Sequence, residues 1–517
     1  MLFHTLSSKF GIVGKMYKSL LSLYTNPITR VVLTSPDEIY KTEFFNCPLG
    51  VKQCDILSPT LFSMFVNDLT VELKNSGLGV SLDAVSDETS SSDGKFNSKF
   101  IVNHLIYADD LVCIAPNAND LQALIDIVSL WCSKFRLEAN LLKTEILHVR
   151  KSLVPCSKFQ FKFGKRDIQY CQQYKYLGLY IDQFLNFEKM SNLLAEPSKR
   201  ALNAVMCKMF KNKGFPHSIY KMLYDSCVTT IKDYGHEVIG FHEYSGSTNI
   251  HTKALRIYLG VGHSANLCGL RSEMTWPEPR SRTQVRMIRF LFRMKSMSDD
   301  RLTKKIFRYD QNFAKTHKNL TCWSSEVNHI LSRNNLFYNV DEMGPKPFLN
   351  LLSESLLRKD VEMFASQCRK SPKLRTYHTL FPPFEEHNLS TKYVQLNLPF
   401  IVRKRLAQLR LGVLPIRIES DRYARDKIAA ELRFCKQPQC VNQTVPNCKP
   451  VVEDELHFLL HCKQYEKLRS DMLSKVDLPG FSQLTDRLKF KYLLTCENLA
   501  RVVGQYTINA FDKRPIK

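Results

Sequence analysis

Residues 102–115 read VNHLIYADDLVCIA, two apolar, strand-like segments on either side of a pair of acidic residues. Asp is a poor residue inside a strand and a good one in a turn, so Asp109 and Asp110 are predicted at the tip of a β-hairpin. Such a pair offers the hard oxygen ligands that Mg²⁺ prefers, and two metal ions there could clamp the oxygens of a phosphoryl transfer. An acidic turn without a function is the alternative that these residues leave open.

Two amphipathic helices are predicted on either side of this hairpin. The first follows Ser58, a good N-cap, and Pro59, which suits the first helical position. The second covers residues 117–135, with Asn117 in the capping position. Each shows apolar residues at helical spacing, which predicts a buried face. In the first helix these residues are Leu61, Phe62, Phe65, Leu69 and Leu73.

The composition indicates a globular, strongly basic protein. The 517 residues are 44% hydrophobic, enough for about two to four domains. Lys and Arg exceed Asp and Glu by 23, which favours polyanionic partners such as nucleic acid or an anionic membrane surface. A merely soluble basic protein is the alternative. We expect an intracellular protein, nuclear or cytoplasmic, with no membrane-spanning segment and with mostly reduced cysteines.

The fold class predicted from the pattern is α+β. Strand-like and helix-like segments alternate up to about residue 185, and the apolar spacing beyond it is mostly helical. A polar, Ser-rich run over residues 83–99 is predicted as a loop between elements.

A late group of sulfur and imidazole side chains predicts a metal site. Cys435, Cys440, His457 and Cys462 are ligands suited to tetrahedral zinc, which would be structural because four protein ligands leave no position for water. Cys448 and His461 are rival ligands, and a set of buried thiols is the alternative.

The motif Tyr107-Ala108-Asp109-Asp110 resembles the Tyr-x-Asp-Asp box of reverse transcriptases from non-LTR retrotransposons, and its flanks are similar to the same family. Residues 50–59 resemble the loop that positions template and nucleotide, although Cys54 stands where the family has glycine. Residues 140–145 resemble the next palm motif. Tyr176, Leu177 and Gly178 resemble the primer grip.

The resemblance implies an RNA-directed DNA polymerase, a nucleotidyltransferase that uses an RNA template, a DNA primer and deoxynucleotides. Asp109 and Asp110 would be the catalytic residues and the Mg²⁺ ligands, and the Cys/His group would be a zinc knuckle. The residues that it implies for substrate binding are Gln53, Ser58, Pro59, Tyr107 and Lys143.

The resemblance also implies a division into five segments. The fold would be a partial polymerase palm, with an antiparallel sheet and packed helices, followed by a helical thumb, a helical connector and a small Cys/His segment. The predicted bounds are 1–185 for the palm, 186–300 for the thumb, 301–430 for the connector, 431–475 for the zinc-knuckle-like segment and 476–517 for the tail.

In relatives the first catalytic aspartate comes shortly before the segment that residues 2–24 resemble, and neither Asp37 nor Asp55 matches it. We therefore expect an N-terminally truncated polymerase that is impaired on its own. The alternative is a non-catalytic nucleic-acid-binding remnant. One face of a later helix, with Arg282, Arg286, Arg289 and Arg293, is predicted either to meet phosphates or to be a solvated basic face.

Overall fold

The computed structural model describes residues 2–35, 37–47, 50–52, 55–83, 99–337, 340, 342–374, 377, 392–423, 428–441 and 450–514. Their contacts form two compact units. The first unit contains Met1–Tyr174, Asp182–Leu185 and Lys305–Asn312, and the second contains Lys175–Ile181, Asn186–Lys304 and Phe313–Lys517. Helices and small sheets occur together, which confirms the α+β class. The five-segment division stays a prediction.

The strands are short and all lie before residue 183 in the described part of the chain. They are β1 Ile28–Thr29, β2 Val32–Thr34, β3 Ile39–Lys41, β4 Phe45–Asn46, β5 Val80–Asp83, β6 Lys99–Val102, β7 His104–Tyr107, β8 Asp110–Cys113, β9 Glu145–Leu147, β10 Phe161–Phe163, β11 Arg166–Cys171, β12 Gln173–Tyr176 and β13 Leu179–Asp182. The Ser-rich run connects β5 to β6, which pair antiparallel, and its residues 84–98 lie outside the described residues.

The helices that precede residue 136 are α1 Leu2–Phe10, α2 Gly14–Tyr24, α3 Ser58–Asn75 and α4 Ala118–Phe135. Both predicted amphipathic helices are present as α3 and α4. Leu69 and Leu73 of α3 pack with Leu124, Val128 and Trp131 of α4 in one buried cluster. This packing supports the region that carries the acidic pair.

One sheet differs from the predicted antiparallel palm. Its strand order is β10-β11-β9, and β11 pairs with β9 in parallel, Gln169 opposite Glu145. Parallel neighbours need a crossover connection of about a dozen residues or more, and the chain between Leu147 and Arg166 is long enough to supply one. Strand composition does not reveal such a crossover, so the pattern alone predicted the simpler pairing.

Beyond residue 186, the described part of the chain is mostly helical. Its α-helices are α5 Phe187–Lys211, α6 His217–Leu223, α7 Thr229–Lys232, α8 His236–Ile239, α9 Ser245–Leu259, α10 Leu267–Met274, α11 Pro279–Lys295, α12 Leu302–Thr316, α13 Trp323–Arg333, α14 Pro345–Lys370, α15 Lys392–Gln395, α16 Phe400–Arg410, α17 Arg417–Ser420, α18 Pro438–Val441, α19 Glu466–Leu473, α20 Asp486–Thr495 and α21 Ala500–Asp512. Two π-helical turns occur at Tyr224–Val228 and His457–His461.

The core of the second unit joins helices that are far apart in sequence. Its buried cluster runs from Leu202 through Tyr258 and Leu406 to Tyr506. Arg410 is buried within this unit, and its guanidinium is 2.9 Å from the Glu273 carboxylate. Among the described residues, none of the helices has the length and apolar character to cross a membrane.

Candidate active site and metal centre

The acidic pair lies on the tip of a tight β-hairpin, as predicted. Tyr107 pairs with Asp110, which leaves Ala108 and Asp109 as a two-residue loop between β7 and β8. Ala108 has a φ of 51°, in the left-handed region where a Cβ is unfavourable. Strain of this kind, about 1–3 kcal/mol, persists where the surrounding structure imposes it and is concentrated at functional sites. The motif did not reveal this strain.

The tip is exposed while the base of the hairpin is buried. Tyr107 is 64% exposed, and both aspartates are exposed. Below them, the buried Asn103 side chain donates a hydrogen bond to the Leu73 carbonyl at the end of α3, 2.6 Å away. The pair of carboxylates is therefore presented to solvent on a fixed support, which is what a site that receives a large substrate requires.

Lys143 is held in the same unit by a tyrosine that the sequence motifs did not single out. The Tyr174 hydroxyl donates a hydrogen bond to the Lys143 carbonyl, 3.1 Å away, and the Lys143 side chain is exposed. Burial raises the pKa of Tyr174, and the negative charges of Asp110 and Glu145 raise it further. The phenol therefore stays protonated and keeps donating. No local pattern pointed to Tyr174, because its partner precedes it by 31 residues.

The start of α3 differs in detail from the prediction. Leu57 occupies the N-cap position and Pro59 lies in the first turn, whereas the Ser58 hydroxyl donates to the Lys52 carbonyl, 2.5 Å away. Ser58 is therefore the first residue of the helix and not its N-cap, and its hydroxyl donates back into the preceding loop. Gln53 and Cys54 lie outside the described residues.

The predicted primer-grip residues form the turn between β12 and β13. Leu177 and Gly178 both have positive φ, 47° and 87°, as in the type I′ turns that favour glycine. Within the second unit, Tyr234 donates a hydrogen bond to the Leu177 carbonyl, 2.9 Å away. A Cβ on Gly178 would come within 3.3 Å of the Tyr234 ring. Glycine therefore suits this turn through its positive φ, and a Cβ there would make a tight contact with the Tyr234 ring.

The predicted basic face of α11 is only partly available to phosphates. Arg282 lies 2.9 Å from the Asp225 carboxylate, and Arg286 donates to the Asp233 carbonyl, 3.0 Å away. Arg289 and Arg293 are exposed. Helical spacing correctly placed the four arginines on one side of the helix. It could not reveal that Asp225 and Asp233, from preceding segments of the chain, already bind the guanidinium groups of Arg282 and Arg286.

The four predicted zinc ligands converge. Their donor atoms all lie within 4.8 Å of one another. The Cys440 Sγ is 3.5 Å from the Cys462 Sγ and 3.8 Å from the His457 Nε2. Zinc–sulfur bonds of about 2.3 Å in a tetrahedron separate the ligand atoms by roughly 3.5–3.8 Å. Small side-chain movements would therefore let this set, which is mostly buried, enclose one zinc ion.

A π-helical turn brings two of these ligands together. Five residues of an ideal α-helix rotate a side chain by roughly 500°, so that it ends about 140° away from its starting direction. Instead, the Cys462 N–H donates to the His457 carbonyl, 2.7 Å away, in the wider π pattern. His457 and Cys462 can thus face one point. The Asp454 carboxylate accepts from the His457 N–H at 2.8 Å and starts this turn, a capping signal that the sequence contained.

Cys435 is positioned by pairing between two segments. Its N–H donates to the Val451 carbonyl at 2.9 Å, and the Glu453 N–H donates to the Arg433 carbonyl at 3.0 Å. The Glu453 side chain is buried and lies 2.8 Å from the Arg514 guanidinium. This buried ion pair braces the segment that leads from Cys435 to His457.

A hydrogen bond joins the Cys435 and Cys462 thiols. A hydrogen bond from Cys462 lowers the pKa of Cys435 to about 4, and the same contact raises the pKa of Cys462. Thiolates are the form that binds metal, and metal binding releases protons. The donor set is therefore chemically suited to a divalent zinc ion.

The rival ligands His461 and Cys448 are not among the four converging residues. The His461 imidazole lies 2.9 Å from the Asp486 carboxylate and is not part of the cluster. Cys448 lies outside the described residues. Within the described part of the chain, the Cys/His cluster is the place where three or more metal-binding side chains converge. Asp109 and Asp110 do not belong to such a group there and form a pair.

Comparison with known protein families agrees with the geometry of the first unit. Residues 9–181 match the family described as reverse transcriptase (RNA-dependent DNA polymerase). No curated protein matches the chain. The matched residues include the hairpin tip, Lys143 and the Tyr176–Gly178 turn. Residues 9–181 are therefore similar to a reverse transcriptase domain, and the paired carboxylates Asp109 and Asp110 lie within it.

Proposed function

We propose that this protein is an RNA-directed DNA polymerase of the non-LTR retrotransposon type, with its catalytic carboxylates at Asp109 and Asp110. The exposed, strained hairpin tip that presents this pair, inside the region similar to reverse transcriptases, carries the proposal. The helical region and the Cys/His cluster that follow support the non-LTR type, because their order resembles that of these polyproteins.

In the proposed reaction, a primer 3′-hydroxyl attacks the α-phosphate of an incoming deoxynucleotide opposite an RNA template. Asp109 and Asp110 would hold Mg²⁺, which neutralises charge on the phosphate oxygens. Tyr107 lies beside the pair and would border the nucleotide. Lys143, fixed through Tyr174, would bind a phosphate. Gln53, Ser58 and Pro59 would position the template and nucleotide, and the Tyr176–Gly178 turn would support the primer end.

The second candidate function is nucleic-acid binding without catalysis. Among the described residues Asp109 and Asp110 stand as a pair outside any larger group of converging ligands, whereas a two-metal clamp draws on further ligands. The excess of 23 basic over acidic residues favours this candidate.

We further propose that Cys435, Cys440, His457 and Cys462 bind one structural zinc ion. The convergence of their donor atoms within 4.8 Å supports this proposal. Zinc in this position would join the segment around Cys435 to the π-helical turn and stabilise the C-terminal part of the second unit.

Primer extension tests the main proposal. The full chain would be assayed with Mg²⁺, deoxynucleotides and a DNA primer on an RNA template, beside an Asp109→Ala/Asp110→Ala variant. Glu138→Ala is the matched control, because Glu138 is an exposed acid of the same unit outside the site. Any extension by the wild type should fall below detection in the double variant and persist in the control.

Two results discriminate between the candidates. Extension that survives in the double variant would contradict the assignment of Asp109 and Asp110. No extension by any variant, together with salt-sensitive binding of the primer and template by all of them, would favour the non-catalytic nucleic-acid-binding function.

A further inference from the structure

The hairpin formed by β10 and β11 packs apolar side chains inward and carries exposed cations around its turn. Phe161 and Ile168 point inward and pack with Ile125 of α4 and Ile146 of β9. Lys162 lies on the opposite face, across from Asp167, and Lys165 and Arg166 lie at the turn. We call residues 158–166 the basic hairpin, and its exposed basic residues are Lys158, Lys162, Lys165 and Arg166.

The basic hairpin is fixed to the body of the first unit. Gln122 of α4 accepts a hydrogen bond from the Lys162 N–H, 2.9 Å away, and donates one to the Lys162 carbonyl at 2.8 Å. Lysine on an edge strand often serves to prevent pairing with another chain. Here Gln122 already occupies the backbone groups of β10 at Lys162, so edge protection does not account for the charge at this position.

The cations of the basic hairpin are available to a partner. Within the described residues, none of its four cations forms an ion pair with an acidic side chain. Asp167 lies opposite Lys162 in the strand register and is the acid nearest in the pairing. A group of cations without ion-pair partners, on a backbone that Gln122 holds in place, is suited to a polyanion, because no ion pair has to be broken on binding.

The register places this group at the Lys143 end of the sheet. β11 and β9 are parallel, with Gln169 opposite Glu145. Arg166 precedes Gln169 by three residues, about 10 Å at 3.3 Å per residue, and Lys143 precedes Glu145 in the same direction. Lys143 is in turn held by Tyr174, which experiences the charge of Asp110. The register therefore places the basic hairpin and Lys143 toward the same end of the β9–β11 pair.

We propose that the basic hairpin binds the phosphate backbone of the nucleic-acid duplex whose primer end lies at the Asp109–Asp110 tip. This inference rests on the proposed function, since it names the surface that holds the polymerase substrate. Backbone phosphates follow one another every 3.4 Å or so along each strand of a duplex. Lys162, Lys165 and Arg166 lie within five residues of one another around the turn, and each would contact a phosphate of this backbone.

The experiment measures binding of an RNA–DNA hybrid duplex by fluorescence anisotropy at several salt concentrations. The first variant is Lys162→Gln/Lys165→Gln/Arg166→Gln in the full chain. The matched control is Lys15→Gln/Lys18→Gln/Lys41→Gln, which removes the same net charge from exposed lysines of the same unit. Asp167→Asn removes the acid opposite Lys162 and tests whether a more positive hairpin binds the duplex more tightly.

Each phosphate contact contributes about 0.9 to the slope of log K against log salt. The basic-hairpin variant should therefore bind with a slope shallower by up to about 2.7, and the control should bind as the wild type does. Asp167→Asn should bind more tightly at low salt. Equal slopes for the wild type and the basic-hairpin variant would overturn the proposal, as would an equal loss in the control, which would indicate net charge alone.

Two further outcomes distinguish this proposal from the proposed polymerase function and from binding to a membrane surface. A wild-type chain that does not bind the duplex at all would contradict the proposed function as well. If the wild type binds and only the basic-hairpin inference fails, the proposed function stands. Loss of binding to phosphatidylserine vesicles in the basic-hairpin variant, with duplex binding unchanged, would overturn the proposal in favour of a membrane surface.

Discussion

The Asp109–Asp110 hairpin and the Cys/His cluster are both sets of potential metal ligands, but they are built in opposite ways. The carboxylates are exposed on a two-residue loop and offer few protein ligands. The sulfur and imidazole donors are mostly buried and complete a set of four. An open site leaves coordination positions for substrate, whereas a closed set stabilises the fold. This difference is the basis of the two proposed roles, catalysis at the hairpin and stabilisation of the fold at the cluster.

The largest expected effect is on the cluster. Cys462→Ser should abolish zinc binding and destabilise the second unit by several kcal/mol. The reason is that binding of a structural zinc ion can contribute about 10 kcal/mol to the folding free energy. Zinc content by mass spectrometry and thermal unfolding would measure this. Cys207→Ser is the control, because Cys207 is exposed on α5.

The same measurement on the hairpin sharpens the contrast. Asp109→Ala/Asp110→Ala should change stability by less than about 0.5 kcal/mol, since exposed side chains contribute little to folding. A large loss of stability in this variant, or zinc retained by Cys462→Ser, would mean that the two sites do not divide into catalytic and structural roles.

An intermediate effect is expected at the brace of the cluster. Glu453→Gln leaves the Arg514 guanidinium without its carboxylate in a buried setting and should cost about 3 kcal/mol. Urea unfolding would measure the loss. Glu196→Gln is the control, because its ion pair with Lys199 is exposed and should contribute under about 0.5 kcal/mol. Equal effects of the two substitutions would show that Glu453 does not brace the fold.

A smaller effect than that at Glu453 concerns the strain at the hairpin tip. Ala108→Gly should stabilise the first unit by about 1 kcal/mol, because glycine adopts the φ of 51° without a steric cost. Ala108→Val should destabilise it, since a β-branched residue tolerates positive φ least. The midpoint of urea unfolding of the first unit should rise in Ala108→Gly and fall in Ala108→Val. A glycine variant that is no more stable than the wild type would argue against strain at Ala108.

The features that were predictable are local ones. Asn117 caps α4 through a 2.9 Å hydrogen bond to the Asp120 N–H, three residues away. The hairpin around Asp109 follows from alternating apolar strands and an acidic turn. The features that were missed depend on residues distant in sequence: the acceptors of Arg282 and Arg286, the support of Lys143 by Tyr174, and the parallel pairing of β9 with β11.

The amino-acid sequence by itself determined the acidic hairpin, the two amphipathic helices beside it, and the kinds of donor atoms available for metal. These follow from backbone preferences and from the periodicity of apolar residues, which act over a few positions. Tertiary structure alone decided which donors converge. His457 and Cys462 meet across a π-helical turn while His461 binds Asp486, because burial and packing select among chemically equivalent side chains.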